Sequence, residues 1–347
     1  MSESLILKIE KAKLRGRGGA GFPVYLKWQA IAHALKKDTK TSFYIVINAA
    51  EGEPGVSKDA FILENETEKF LLGVKAAVKE LGAKRLAGIY CFINHAYYPT
   101  VSKKINALLA TTDFMMLSLF WHYQIKPKKL SYISGEETTM LNIIEHGLTE
   151  PRLKPPLPVD HGLFGKPTLI NNVETFHQVA LIEAGSFDNR RFYTINGEVQ
   201  RPGVYYLPDS WSIADVLRLT GNWPSYKFFC MVGGNACGEV LDSSQLDQPV
   251  SGSGSITIYP WFNKNKPDLI GSWLKFFKDN SCGKCTPCRE GTVRLYELYE
   301  QGKTYSPEFW DILELLNHGS FCAYGRSISL PLSSYYKNIL KNKMTDK

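Results

Sequence analysis

The sequence has no hydrophobic run long enough to cross a membrane. Its most apolar stretch, FMMLSLFW at positions 114–121, is much shorter than the ~20 residues that a membrane-spanning helix needs. The first residues, MSESLILKIEKAKLRGRGG, contain only a short, interrupted apolar segment and no small-residue cleavage site, so they do not resemble a secretory signal. We therefore expect a cytoplasmic protein with no direct membrane insertion.

Cysteine is scarce, with seven residues in a chain of 347. A small, odd number of thiols in a long chain argues against a disulfide scaffold. Cys91 and Cys230 lie in apolar runs that predict buried strands, and Cys237 lies in a loop. The other four fall in the last fifth of the chain, a clustering typical of a metal or redox protein: Cys282, Cys285, Cys288 and Cys322.

The sequence has no large excess of positive or negative charge, because the formal net charge is only +7. The densest basic patches, KIEKAKLRGR and HYQIKPKK, contain no nucleic-acid-binding motif and no regular aromatic interleaving. We interpret them as solvated faces and expect no nucleic-acid partner. The 44% hydrophobic content is that of an ordinary globular protein with two or three domains.

Residues 1–185 alternate between strand and helix patterns. The runs SFYIVIN, RLAGIYCFIN and FMMLSLFW predict strands, and LSYI predicts another before SGEET. The runs VYLKWQAIAHALKK, AFILENETEKFLLGVKAAVKELG and TVSKKINALLA predict helices. This alternation predicts an α/β domain with a largely parallel sheet.

The pattern changes twice after this domain. Residues 150–167 are rich in proline and glycine, which predicts an irregular segment. Residues 186–266 contain a predicted hairpin, a short helix with Ser212 at its N-cap and Asp215 three residues on, and two more strands, as in a β-grasp module. Residues 267–347 predict a helical domain interrupted by the cysteine loop.

The cysteine loop, SCGKCTPCREGT, has the spacing C-x2-C-x2-C. Structural zinc sites usually group cysteines in pairs, whereas three closely spaced thiolates suit one face of a [4Fe–4S] cube. Cys322, which lies 322 − 288 = 34 positions after Cys288 in a glycine-flanked turn, is the best candidate for the fourth ligand. Structural zinc and unligated thiols remain as alternatives.

The segment GRGGAGFP contains Gly16-x-Gly18-x-x-Gly21, which is formally a dinucleotide fingerprint. The buried strand that should precede such a fingerprint is missing, since SLILKIEKAKLR is typical of a charged helix or arm. A loop that cradles a phosphate at the start of the next helix, with Arg17 favouring the negative charge, is the better prediction. A flexible glycine turn without a ligand is the alternative.

Three polar clusters lie at strand-to-helix junctions. They are Asn48, Glu51 and Glu53 in NAAEGEPG, the segment SGEETTM, and the pair Asn171 and Asn172. Ligands of open α/β sheets bind at the carboxyl ends of strands, so the three clusters together predict a binding site.

The order of these motifs resembles that of the flavin-bearing, NADH-oxidising subunit of respiratory complex I and of related subunits in NAD-linked hydrogenases and formate dehydrogenases. The resemblance rests on RGRGGAGFP, NAAEGEPGVSKD, SGEET, GLFGKPTLINNVET and SCGKCTPCREGT, and it extends from about Leu14 to Tyr324. It implies an α/β fold with a Rossmann-like flavin-binding domain, a β-grasp domain and a helical bundle that carries a [4Fe–4S] cluster.

The resemblance also implies ligands and roles. It implies that a hydride passes from NADH to the flavin with Glu53 and Glu137 as catalytic residues beside the NADH, and that the four late cysteines hold the cluster. It implies that the partners are other iron–sulfur subunits, through which the chain would lie peripherally at the inner membrane. The residues implied for FMN and NAD(H) binding are Gly16, Arg17, Gly18, Gly19, Gly21, Phe22, Lys27, Asn48, Glu51, Gly135, Glu136, Lys154, Asn171 and Asn172.

Several positions depart from the family pattern. Ala50 stands where the family has an acid at the polar edge of the flavin, and Tyr25 stands where the family has glycine. Ala30 and Leu157 replace aromatic residues around the adenine of NADH. One lost buried hydrogen bond costs about 1–3 kcal/mol. A diverged, non-catalytic member that keeps the cluster as an electron conduit or docking platform is therefore the alternative to an electron-input subunit.

Overall fold

The computed structural model describes residues 3–129, 132–261 and 268–341. The chain forms two compact units. The first unit comprises Met1–Gly52, Ser57–Lys128 and Ser134–Phe192, and the second comprises Glu53–Val56, Lys129–Ile133 and Tyr193–Lys347.

A parallel sheet of four strands forms the centre of the first unit. The strands are β1 (Phe43–Ala49), β2 (Leu86–Ile93), β3 (Trp121–Ile125) and β4 (Thr168–Asn172), in the order β3-β2-β1-β4. Most residues of β1, β2 and β4 are buried, because helices cover both faces of such a sheet. The predicted parallel sheet is confirmed.

Nine α-helices accompany this sheet within the described residues. They are α1 (Leu5–Lys11), α2 (Val24–Lys37), α3 (Lys58–Asn65), α4 (Thr67–Leu81), α5 (Tyr98–Leu109), α6 (Met115–Ser118), α7 (Glu137–His146), α8 (Pro158–His161) and α9 (Val173–Glu183). Gly73 lets α4 approach α9, since a Cβ at this position would lie 1.8 Å from the carbonyl oxygen of Phe176.

Three predicted elements of the first unit were wrong. The run FMMLSLFW is not a strand, because Phe114 and Leu117 are buried at helical spacing around α6, and β3 begins only at Trp121. The long predicted helix divides at Glu66, which leaves the helical conformation at φ −125°. The proline-rich segment 150–167 contains α8 and a 3₁₀ turn at Leu163–Gly165, so it is not wholly irregular.

The strand predicted for LSYI was also wrong over the two of its residues that the structure describes, Tyr132 and Ile133. Leu130 and Ser131 lie outside the described residues. Tyr132 lies in a turn, and Ile133–Gly135 forms a 3₁₀ turn that leads into α7.

A mixed sheet of five strands belongs to the second unit. The strands are β5 (Arg190–Gly197), β6 (Gly203–Pro208), β7 (Phe228–Val232), β8 (Glu239–Asp242) and β9 (Ser255–Pro260), in the order β6-β5-β9-β7-β8. Strands β5 and β9 are parallel, whereas β7 is antiparallel to β8 and β9. Helix α10 (Ile213–Leu219) begins with the predicted capping box of Ser212 and Asp215.

The rest of the second unit is helical, as predicted. It contains α11 (Leu269–Asp279), α12 (Thr286–Glu300), α13 (Pro307–Gly319), α14 (Ala323–Ser327), α15 (Ser329–Tyr335) and a π-helical turn at Tyr336–Leu340. Phe277, Leu295, Phe309 and Leu332 are fully buried in its core. Within the described residues, no helix combines the length and apolar character needed to span a bilayer.

Candidate functional site

In the glycine loop of the first unit, a hydrogen bond joins the two ends, Gly16 and Phe22, while Gly19 and Gly21 between them are open. The amide of Gly16 donates to the carbonyl of Phe22 (2.8 Å), and the amide of Arg17 donates to Oγ1 of the buried Thr175 (3.0 Å). Gly19 and Gly21 have φ values of +108° and +61°, and among the described residues, apart from the adjacent ones, no heavy atom lies within 4 Å of the position of a Cβ at either glycine. The loop therefore forms an open, glycine-lined cradle immediately before α2, as a phosphate-binding loop requires.

Asn172, at the junction of β4 and α9, connects the predicted clusters. Its Nδ2 donates to Asp59 Oδ2 (2.6 Å) and to the carbonyl of Asn48 (3.3 Å), while its Oδ1 accepts from Lys58 Nζ (3.1 Å). A Cβ at Gly18 would lie 3.4 Å from Asn172 Cβ. The amide of Asn172 is thus held by neighbouring side chains and fixes the glycine loop and the end of β1 relative to β4.

Asn171 lies on the same strand and is also buried. In the amide orientation that satisfies both of its groups, its oxygen accepts from Trp28 Nε1 (3.0 Å) on α2 and its nitrogen donates to the carbonyl of Ile170 (2.9 Å). The pair Asn171 and Asn172 therefore anchors two different walls of the candidate site.

Lys58 is a fully buried cation behind these walls. Its Nζ contacts the carboxylates of Asp59 (2.6 Å) and Glu174 (3.2 Å). Burial alone would lower the pKa of Lys58, but the charges of Asp59, Glu174 and Glu51 raise it above its usual value. Burial raises the pKa of Asp59. Sequence reasoning missed Lys58, Asp59 and Glu174, because charged residues next to a loop are usually solvated.

Asn48 and Glu51 shape the loop after β1. Asn48 Nδ2 donates to the carbonyl of Gly135 (3.1 Å), and its Oδ1 accepts from the amide of Ala50 (3.1 Å). Glu51 accepts from the amides of Asp59 (2.8 Å) and Ala60 (3.2 Å) and so caps the first turn of α3. Burial, followed by the nearby charge of Asp59, raises the pKa of Glu51 to about 7.

Glu136 and Glu137 begin α7 and take different partners. Glu136 accepts from two amides in the first turn of the helix and pairs with Lys154 (2.7 Å). Burial alone would raise the pKa of Glu136, but the hydrogen bond and charge of Lys154 hold it below the usual value. Glu137 pairs with Lys27, whose ammonium lies 5.9 Å from the ring centre of the half-exposed Phe22.

Glu53 belongs to the second unit, unlike the other residues predicted for FMN and NAD(H). Its Oε1 accepts from the amides of Ala236 (2.7 Å) and Cys237 (3.1 Å). Burial raises the pKa of Glu53, while hydrogen bonds from Tyr132 and these amides oppose the rise. No local motif indicated this pairing, since Glu53 and Cys237 are 184 positions apart.

The four late cysteines come together in the second unit. Cys288 is buried on α12, and Cys282, Cys285 and Cys322 pack against the same helical core. Burial raises the pKa of the Cys288 thiol to about 12, and the charges of Cys285, Cys322 and Cys282 contribute to the rise. The amide of Phe321 donates to Cys285 Sγ (3.5 Å), which brings the turn of Cys322 to the cysteine loop.

The donor set fits a cluster better than a single ion. No group of three or more His, Cys, Asp or Glu side chains in the described ranges has the spacing of a one-metal site. Four thiols, three of them at the spacing C-x2-C-x2-C, suit a cube with one cysteine sulfur for each iron. On the flavin side, the open cradle at Gly19 and Gly21, with Arg17 and Lys27 nearby in sequence, fits a phosphorylated cofactor.

Two family models match the chain. Residues 9–181 match the Nuo51 FMN-binding domain, and residues 268–342 match the NADH-ubiquinone oxidoreductase-F iron–sulfur binding region. The F subunit of NADH-quinone oxidoreductase from Streptomyces coelicolor is 30% identical over 96% of this chain and 81% of its own length. The chain belongs to the family of NADH-quinone oxidoreductase F subunits. The family resemblance predicted from the motifs is confirmed.

One further relative agrees with this assignment, and one solved structure shows the same fold. An NADH-quinone oxidoreductase F subunit of Rhizobium meliloti, numbered 2 in that organism, is 29% identical over 97% of this chain and 87% of its own length. The fold also matches a chain of an NAD+-reducing [NiFe]-hydrogenase in the H2-reduced state, with a TM-score of 0.84 and 24% identity over 97% of this chain. Because the identity is only 24%, this last likeness shows the fold alone, and the present chain spans 61% of that hydrogenase chain.

Proposed function

We propose that this chain is the electron-input subunit of a complex I-like NADH dehydrogenase. When bound, the flavin would accept a hydride from NADH and pass single electrons to the iron–sulfur cluster. The glycine loop and Arg17 would hold the phosphate of FMN, and Asn48, Gly135 and the Asn172 junction would shape the wall beside it. Cys282, Cys285, Cys288 and Cys322 would hold the cluster.

The observation that carries this proposal is the convergence of Cys322 on the C-x2-C-x2-C loop. The three clustered thiols would supply ligands for three irons, and a fourth thiol close to them would complete the four-cysteine ligand set that is usual for a [4Fe–4S] cube. Cys322 packs against the same helical core as Cys288 although 322 − 288 = 34 positions separate them, and the amide of the preceding Phe321 donates to Cys285 Sγ (3.5 Å). An electron carrier on the same chain as a flavin-binding domain supports electron input.

The proposed partners are other iron–sulfur subunits of a complex I-like or hydrogenase-like assembly, since the cluster needs an acceptor for its electrons. Through such partners the chain would lie at the inner membrane without inserting into it. The proposed roles of Glu53 and Glu137 are to contact NADH.

The second candidate function is a non-catalytic conduit that keeps the cluster but not the flavin. Ala50 favours this candidate, because it lacks the acidic side chain of the family at a buried position beside Asn48 and Gly135. The loss of one buried hydrogen bond weakens a ligand by about 1–3 kcal/mol.

Anaerobic reconstitution of the full chain with iron, sulfide and FMN tests both candidates. We expect about four irons and one flavin per chain, and a flavin absorption that NADH bleaches. An intact cluster with no flavin bound would reject electron input and support the conduit. Zinc in place of iron would reject both.

Cysteine variants make the test specific to the cluster. Cys322→Ser should lose most of the iron and the broad visible absorption, because one iron loses its thiolate. Cys91→Ala, in the buried strand β2 of the first unit, is the matched control and should keep both. Full iron content in Cys322→Ser would contradict the assigned ligand.

A further inference from the structure

Lys126 is a second buried lysine in the first unit, and its surroundings differ from those of Lys58. The residue follows β3 at the carboxyl edge of the parallel sheet and is 2% exposed. Its Nζ donates to the carbonyl of Ala50 (2.6 Å), and its amide donates to the carbonyl of Ile93 (2.8 Å). The first contact places the ammonium close to the loop that follows β1, and the second fixes the backbone of Lys126 beside the end of β2.

The charge of Lys126 has no carboxylate in ion-pair contact among the residues that the structure describes. Lys58, by contrast, contacts Asp59 and Glu174 directly. A buried ammonium without a counter-charge is costly, and burial accordingly lowers the pKa of Lys126 to about 8, while the more distant charge of Glu51 opposes the shift. A buried cation of this kind is well placed to meet a negative charge brought by a ligand.

The hydrogen bond to Ala50 does not by itself require a charge. Asn94 Nδ2 also points to the carbonyl of Ala50 (3.4 Å) and donates to the carbonyl of Glu51 (2.8 Å). The neutral side-chain amide of Asn94 therefore already donates hydrogen bonds to the carbonyl groups of the same loop. The ammonium adds a positive charge, not a unique donor.

Position 50 links Lys126 to the candidate flavin wall. The amide of Ala50 donates to Asn48 Oδ1 (3.1 Å), and Ala50 Cβ lies 3.6 Å from the position of a Cβ at Gly135. An acidic side chain at position 50 would offer Lys126 a nearby counter-charge, and alanine offers none. No acidic side chain at position 50 therefore neutralises the ammonium of Lys126, and its positive charge is available to interact with a negatively charged ligand.

We propose that Lys126 is a further residue of the flavin site, whose buried ammonium balances the negative charge that a bound flavin acquires on reduction. The inference rests on the proposed binding of FMN. A hydride carries one proton and two electrons, so a flavin that takes no second proton is left with one added negative charge. A nearby cation stabilises that form relative to the oxidised form and raises the reduction potential of the flavin.

The test compares the affinity of the reconstituted full-length protein for oxidised and for reduced FMN. Lys126→Gln removes the charge but keeps a donor for the carbonyl of Ala50, and Lys126→Met removes both. We expect both variants to lose affinity for reduced FMN relative to oxidised FMN on the order of tenfold. For a two-electron couple, a tenfold change corresponds to a potential lower by about 30 mV.

Two further variants serve as controls. Lys128→Met removes an exposed positive charge two positions away and should leave the ratio of the two affinities unchanged. Lys126→Arg keeps the charge and should stay close to the wild type in this ratio.

The outcomes separate this inference from the proposed function. Flavin binding by Lys126→Gln with a wild-type affinity ratio would overturn the role of the charge and leave electron input standing. A shift in Lys126→Met alone would also overturn it, because the hydrogen bond would then be responsible. Absence of flavin from the wild-type protein would overturn both proposals.

Discussion

The ammonium of Lys58 lies 3.1 Å from Oδ1 of Asn172, and the carboxylate of Asp59 lies 2.6 Å from Nδ2 of the same amide. A buried cation and a buried anion thus fix the two ends of one side-chain amide. Rotation of this amide by half a turn would place like partners together on both sides, so its orientation is determined. Asn172 in turn holds the loop of Gly18, which makes Lys58 part of the support of the candidate flavin site.

Lys58→Met should lower the free energy of unfolding by about 3–5 kcal/mol, because Asp59 and Glu174 would remain buried without their ammonium. Urea unfolding of the full chain measures this loss. Lys69→Met is the matched control, since Lys69 forms an exposed pair with Glu66 (2.6 Å) worth at most about 1 kcal/mol. Equal losses in the two variants would contradict the role of Lys58.

The elements that could be predicted are those whose apolar pattern had one interpretation. Strands β1 and β2 are short buried runs between turn signals, and their positions were predicted correctly. The run FMMLSLFW is apolar at nearly every position, so strand and helix could not be distinguished by periodicity. This run forms a one-turn helix because the fold buries Phe114 and Leu117. Which side chains are buried depends on tertiary packing and could not be read from the apolar pattern.

The candidate site was predictable to the extent that single motifs carry chemistry. Cys322 was the candidate for the fourth ligand because a cube usually has four thiolates and few other cysteines were available, and its role as a ligand stays a prediction. Lys58 and Lys126 could not be predicted, because a lysine in a loop or after a strand is normally solvated. Their burial depends on partners far along the chain, such as Asn172 at 114 positions from Lys58.

Gly234→Ala should disturb the second unit more than a glycine substitution at an open position. A Cβ at Gly234 would lie 2.3 Å from Glu53 Oε1, and the φ of +138° is itself unfavourable for alanine. Overpacking costs about 1–3 kcal/mol, in addition to roughly 1–2 kcal/mol for the backbone. Gly302 has a φ of +69°, and apart from its neighbours in sequence no described residue has an atom within 4 Å of the position of a Cβ, so Gly302→Ala measures the backbone contribution alone. Equal melting temperatures in the two variants would show that the carboxylate of Glu53 can move away freely.

Glu51 should make the stability of the first unit depend on pH. Its pKa is raised to about 7 in the folded protein from the usual value of 4.5, so the folded state binds more protons between these two values. The free energy of unfolding should therefore fall as the pH rises from about 4.5 to about 7 and change little above that, by about 1–3 kcal/mol in total. Glu51→Gln should remove this decrease. Urea unfolding at several pH values between about 4.5 and about 8 measures it, and parallel curves for variant and wild type would contradict the prediction.

Thr175 should control the affinity of the glycine loop for FMN without contacting the open cradle itself. Its buried Oγ1 accepts from the amide of Arg17 (3.0 Å) and holds the loop in place. Thr175→Ala leaves the amide without this acceptor, which costs about 1–3 kcal/mol and should weaken FMN binding by roughly tenfold or more. Thr175→Ser keeps the hydroxyl and should bind FMN nearly as the wild type does. Titration of the protein with FMN, followed by flavin fluorescence, distinguishes the two variants. If alanine and serine weaken binding equally, the methyl group of Thr175 and not its hydrogen bond supports the loop.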